Sequence, residues 1–131
     1  MPYGNLLADV VQSSTVGTPP QFNDGGGTQV GTLCRAWVNY KGSSTQSIRA
    51  SFNVSSVTYN STGDYTINFT NALSDANYSA CFGTDIAASD SAGYTNTINI
   101  NTMTSSALRI RSQYSNYSAW DSVFVCASVF R

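Results

Sequence analysis

Residues 113–121, Gln-Tyr-Ser-Asn-Tyr-Ser-Ala-Trp-Asp, crowd three aromatic rings among amides and hydroxyls. Within this run Tyr114, Asn116, Tyr117 and Trp120 are the side chains best suited to hold a sugar, with Asp121 beside them. An aromatic ring stacks on the apolar face of a pyranose while amides pair with its hydroxyls. Tyr and Trp also give a large contact area for little lost side-chain entropy. The same residues would equally cover the end of a hydrophobic core or meet a second subunit, and the sequence leaves these readings open.

Catalytic chemistry has less to work with. All seven acids are Asp, and there is no His and no Glu, so the commonest general base and the commonest metal ligand are both missing. Paired carboxylates hydrolyse glycosides, but Asp64, Asp75, Asp85 and Asp90 all fall in segments that read as loops, where Asp favours turns. No catalytic residue, no metal site and no cofactor is assigned. Cys34, Cys81 and Cys126 match no zinc spacing. Each lies in an apolar, strand-like segment, which reads as three buried free thiols of a protein assembled in a reducing cytosol. One disulfide plus one free thiol is the alternative. The run Asp24-Gly25-Gly26-Gly27 lacks the strand and helix that flank a phosphate loop and reads as a turn. Arg35 and Trp37, two apart on one strand face, read as packing under a covering arginine.

The chain around these residues has 131 positions, about one domain. Charged residues make up 10% of it, against a usual figure of about 25%. Neutral Ser, Thr, Asn and Gln, roughly two fifths of the chain, supply the polar surface instead. Six scattered basic residues and a net charge of −1 offer no patch for many phosphates, so nucleic acid is excluded as a partner. No apolar stretch is long enough to span a bilayer, so membrane insertion is not expected.

Residues 32–131 read as strands between turns. In Leu33–Tyr40, Cys34, Ala36, Val38 and Tyr40 share one face. From Gln46 to Val54, Ile48, Ala50, Phe52 and Val54 alternate with polar residues, the pattern of a strand wet on one side. The turn Asn60-Ser61-Thr62-Gly63-Asp64 joins two alternating runs into a hairpin. Further strands follow around Tyr78, Ile98 and Leu108. Val123–Phe130 is apolar on both faces, which predicts a central strand. Seven or eight short strands predict an all-β fold, a single antiparallel β-sandwich, jelly-roll-like. Residues 1–31 form an extended N-terminal arm rich in Gly and Pro, whose one apolar patch is Leu6, Leu7, Val10 and Val11. These four residues are expected to dock the arm on a neighbouring subunit or a shell protein, or else to lie along its own sandwich.

The series Gly31-Thr32-Leu33-Cys34-Arg35-Ala36-Trp37-Val38-Asn39-Tyr40, Ile48-Arg49-Ala50-Ser51-Phe52-Asn53-Val54-Ser55-Ser56-Val57, Gly63-Asp64-Tyr65-Thr66-Ile67-Asn68-Phe69-Thr70 and Asp75-Ala76-Asn77-Tyr78 carries a resemblance. It resembles a domain common in fibre-type and virion-associated proteins of tailed phages, particularly those infecting cyanobacteria and other aquatic bacteria. The similarity covers most of residues 28–80 and returns in the final strand. It brings no catalytic residues. It implies a non-enzymatic structural protein of the virion, assembled in the host cytoplasm and forming a homotrimer. Two roles compete. One is a short fibre or tail-tip module that contacts host surface polysaccharide and binds tail or baseplate proteins. The other is a capsid decoration or cement protein, held on the major capsid protein by its arm. A polysaccharide-cleaving enzyme is a third reading. In long fibres such a domain ends a much larger chain, whereas this one starts at its own Met1, which favours a short appendage or a decoration.

Overall fold

The computed structural model describes residues 8, 10–12, 14, 20–23, 26–27, 29–43, 45–85 and 96–131. They belong to two compact units, Met1–Leu33 and Cys34–Arg131. In the first, β1 (Gln21–Asn23) and β2 (Gln29–Thr32) form a small antiparallel hairpin. Gly27 lies in its turn with φ 84°, a conformation that costs glycine little. Val10 and Val11 are exposed, while Leu6 and Leu7 lie outside the described residues. The hairpin is absent from the sequence reading because its first strand is three residues long, too short for an alternation to show.

The second unit carries eight strands: β3 (Cys34–Lys41), β4 (Ser47–Phe52), β5 (Val54–Ser61), β6 (Asp64–Phe69), β7 (Ser79–Thr84), β8 (Asn96–Met103), β9 (Ala107–Tyr114) and β10 (Val125–Phe130). They make two four-stranded antiparallel sheets, in the orders β4-β3-β10-β7 and β5-β6-β9-β8. The sheets pack face to face as a sandwich, as the alternation predicts. Inward positions build the core: Ala36, Val38 and Tyr40 from β3, Tyr65, Ile67 and Phe69 from β6, Leu108 and Ile110 from β9, and Val125, Ala127 and Val129 from β10. Leu73 and Tyr78 close one end, where Tyr78 meets Phe69 edge-on at 6.0 Å. Because every pairing is antiparallel, residues 42–43, 45–46, 61–64 and 115–124 gather at the opposite end.

β10 is central, between β3 and β7. β4 departs from the expectation. Its apolar residues do not join the core, and the whole strand is exposed. The register opposes Ser51 to the inward Val38 and Phe52 to the outward Trp37. A shift of one residue in pairing turns a strand's apolar set to the other face. A bulge at Asn39 and Tyr40 then breaks the phase again. Val54 is not on this strand at all. Asn53 takes φ 55° and bonds Arg35 O at 3.0 Å and Asn71 O at 3.1 Å, which ends β4 and sends the chain into the other sheet.

All three cysteines are free, as expected, but Cys34 is only half-buried and Cys81 and Cys126 are exposed. Cys126 sits between the buried Val125 and Ala127, so alternation turns its thiol outward.

Candidate functional site

The aromatic run forms a tight excursion between β9 and β10. Tyr114 N donates to Ser118 O at 2.9 Å, and Tyr117 N donates to Tyr114 O at 2.9 Å. Asn116 Oδ1 accepts from Ser118 N at 3.0 Å, an Asx turn, so that oxygen serves the loop's own fold. Gln113 bridges Ala119 across the base. This folding leaves Tyr117 at the tip with φ 66°, a left-handed conformation uncommon for a bulky residue. Its side chain stands 82% exposed. Such strain persists only where surrounding bonds over-determine it. Behind the tip, the Tyr114 and Trp120 rings stack with centroids 4.9 Å apart and planes tilted by 34°. The indole Nε1 is buried without a hydrogen-bond partner among the described residues. The four predicted residues thus meet in one loop and divide in role: Tyr117 projects, Tyr114 and Trp120 brace each other, and Asn116 shapes the turn.

A carboxylate fastens this loop to the sandwich. Asp121 Oδ1 accepts from Tyr65 OH at 2.6 Å and from Gly63 N at 2.7 Å, and Oδ2 accepts from Tyr59 OH at 3.2 Å. Tyr65 is fully buried between Tyr40 and Tyr59, with ring centroids at 5.4 and 5.8 Å. Burial and the bond to Asp121 push its phenol far above the usual tyrosine range. Gly63, at φ 69°, lets the β5–β6 turn lie against the loop base: a Cβ there would strike Ser112 O and Trp120 N. Ser112 N donates to Gly63 O at 2.7 Å, and Trp120 N donates to Ser112 O at 3.1 Å. Beneath them the buried hydroxyls of Ser112 and Ser122 lie 3.0 Å apart, and Thr84 donates to Ser122 at 2.9 Å. The anchors Tyr59, Gly63 and Tyr65 escape the sequence reading. They are read there only as hairpin residues, and nothing local marks partners 56 to 62 positions away.

The other described carboxylates are engaged in structure. Asp64 takes two bonds of 2.8 Å from Arg109 and one of 3.0 Å from Asn60, and the guanidinium holds its carboxyl below the usual carboxylate range. Asp75 is likewise held down by Arg131, at 2.9 and 2.6 Å. Asp85 Oδ1 accepts from Phe124 N at 2.9 Å. Among the described residues no group of three or more Cys or Asp side chains is placed to hold a metal ion. A guanidinium–ring contact occurs at Arg49, 4.1 Å above Phe124.

No family model matches the chain, and no curated protein sequence does. Among solved structures the chain is similar to the phiAB6 tailspike, a phage tailspike solved in complex with three-repeated oligosaccharides of Acinetobacter baumannii surface polysaccharide. The TM-score is 0.54 at 15% sequence identity, and the match covers 96% of this chain and 30% of the tailspike chain. The chain therefore spans under a third of that protein's length, and what the two share is a β-rich fold.

Proposed function

We propose that this chain is a non-enzymatic host-contact module of a tailed-phage virion, a short fibre or tail-tip domain that meets surface polysaccharide through its 114–120 loop. The observation that carries the reading is Tyr117: a strained, exposed aromatic ring held at the tip of a loop whose base is fastened by Asp121. A rigid aromatic contact loses little entropy on binding. The fold shared with a phage tailspike supports a tail location, and the resemblance to fibre-type domains of cyanophage-like tailed phages agrees with it. The binding role rather than hydrolysis is supported by Asp64, Asp75, Asp85 and Asp121, whose carboxylates all hold the fold together.

Self-association, as a homotrimer, is part of the same proposal. It is supported by the outward face of β4-β3-β10-β7, where Trp37 and Phe52 pair across strands at 39% and 55% exposure and Phe130 is also exposed. Adjacent exposed apolar side chains of this size mark association surfaces. A second reading, a decoration protein held on the major capsid protein by its arm, is favoured by the exposed Val10 and Val11.

Gold-labelled antibody on intact virions separates the two. Label confined to the tail supports the host-contact module. Label spread over the head sinks it in favour of the decoration reading. Reducing ends released from host polysaccharide by the purified protein would overturn the non-enzymatic assignment.

A further inference from the structure

The outer face of β5-β6-β9-β8 is an array of hydroxyls, amides and guanidinium groups, and its rows follow from the register. Asp64, Arg111 and Asn99 lie in one row across β6, β9 and β8. Thr58, Thr66, Arg109 and Thr102 lie in the next, and Ser56 and Asn68 in the third. Adjacent strands put neighbours about 4.8 Å apart, the scale of hydroxyl groups across a sugar ring.

Most of these groups are fixed before any ligand arrives. Asn68 Nδ2 donates to Ser56 Oγ at 3.0 Å and to Thr58 Oγ1 at 2.9 Å. Asn60 Nδ2 donates to Thr66 Oγ1 at 2.9 Å as well as to Asp64. Arg109 is locked on Asp64 by its Nε and one terminal nitrogen. Arg111 differs. It is exposed, and among the described residues its side chain makes no hydrogen bond and no ion pair, although its charge helps hold the Asp64 carboxyl low from across the row. Among the described residues of this face, two guanidinium groups stand against one ionised carboxylate, an excess of one positive charge.

We propose that this face is a second saccharide surface, separate from the loop, and that its ligand is an anionic saccharide whose acid group is taken by Arg111. A guanidinium presents a planar fork of donors suited to an acid group, while Asn99, Thr66 and Thr102 offer partners to ring hydroxyls. Other macromolecules fit poorly. Among the described residues the face offers no aromatic ring for a base to stack on, which single-stranded nucleic acid needs. It also lacks the aromatic and apolar centre typical of protein interfaces. The inference shares the saccharide-contact reading of the domain but not its site, so the two fail separately.

The test is affinity electrophoresis of the full chain through gels containing polygalacturonate, dextran sulfate or neutral dextran. The wild type should be retarded by an anionic gel, with retardation lost as salt rises. Arg111→Gln should weaken that binding about tenfold, the size of one charged hydrogen bond. Asn99→Ala should weaken it less, and Tyr117→Ala should leave it unchanged. Which anionic gel binds more tightly distinguishes a carboxylate from a sulfate ligand, and either one supports the proposal. Equal retardation in neutral dextran would overturn it, as would a loss in Tyr117→Ala with none in Arg111→Gln. Absence of retardation in both anionic gels would overturn it too, leaving the loop to be judged by its own binding. Unchanged melting temperatures confirm that the variants are folded.

Discussion

On the β4-β3-β10-β7 sheet the outward positions carry Trp37, Phe52, Cys81, Cys126 and Phe130, whereas on β5-β6-β9-β8 they carry Ser56, Thr58, Thr66, Asn68, Arg109 and Arg111. Both sheets give their inward positions to one core, so the core does not require this difference. Alternation leaves the other half of each strand free. On the polar sheet most of that half is tied by bonds within the chain, Arg111 excepted. On the apolar sheet it leaves ring surface and thiols in water, a cost that association would remove. On the proposed reading, one face would meet protein neighbours and the other a polar ligand, with the 114–120 loop rising from the end between them.

The largest expected effect concerns the joint between the polar sheet and the loop. Gly63→Ala places a Cβ against Ser112 O and Trp120 N at a left-handed backbone position. It should cost about 3 kcal/mol in denaturant unfolding. A loss under about 1 kcal/mol would mean that the turn does not anchor the loop.

Asp64→Asn tests the polar face itself. Asp64 is 4% exposed and Arg109 43%, so the loss should be about 2 kcal/mol, below that of a fully buried pair. The sign with pH follows from the depressed folded value. The contribution is complete above the unfolded carboxyl value of about 4 and disappears as pH falls from there towards the folded value. Wild type should therefore lose its advantage over Asp64→Asn in that acid window. A difference that persists at the lowest pH would assign the effect to packing.

On the apolar face, Trp37→Ser combined with Phe52→Ser should cost about 2 kcal/mol in folding stability, because both side chains are only partly exposed. The same pair should abolish self-association in sedimentation. An unchanged assembly would detach this face from the oligomer. The smallest effect is expected for Thr58→Ala, about 0.5 kcal/mol in thermal unfolding, since it removes one hydroxyl from a cross-strand network.

Much of this architecture is legible in the residues. The inward sets of β3, β6 and β9 follow from period two, and the Asn60–Asp64 turn from its residue types. The phase of β4 is not legible, because a bulge and the left-handed Asn53 set it. The outward cysteines were hidden by apolar neighbours on the same strands, which obscure the alternation. The loop's aromatic residues are visible as a cluster, but their division of labour depends on Asp121 meeting Tyr65 and Gly63 across the fold. Short-range pattern carries no information about such partners.

The most direct test of the host-contact reading is binding of the purified protein to an array of bacterial surface polysaccharides, wild type beside Tyr117→Ala. The loop's backbone bonds do not use the Tyr117 ring, so the variant should melt as the wild type does. The wild type should bind a glycan that the variant binds at least about fivefold more weakly, the loss expected for an aromatic stacking contact of about 1–3 kcal/mol. Equal binding by both proteins, or no glycan bound by the wild type, would contradict it.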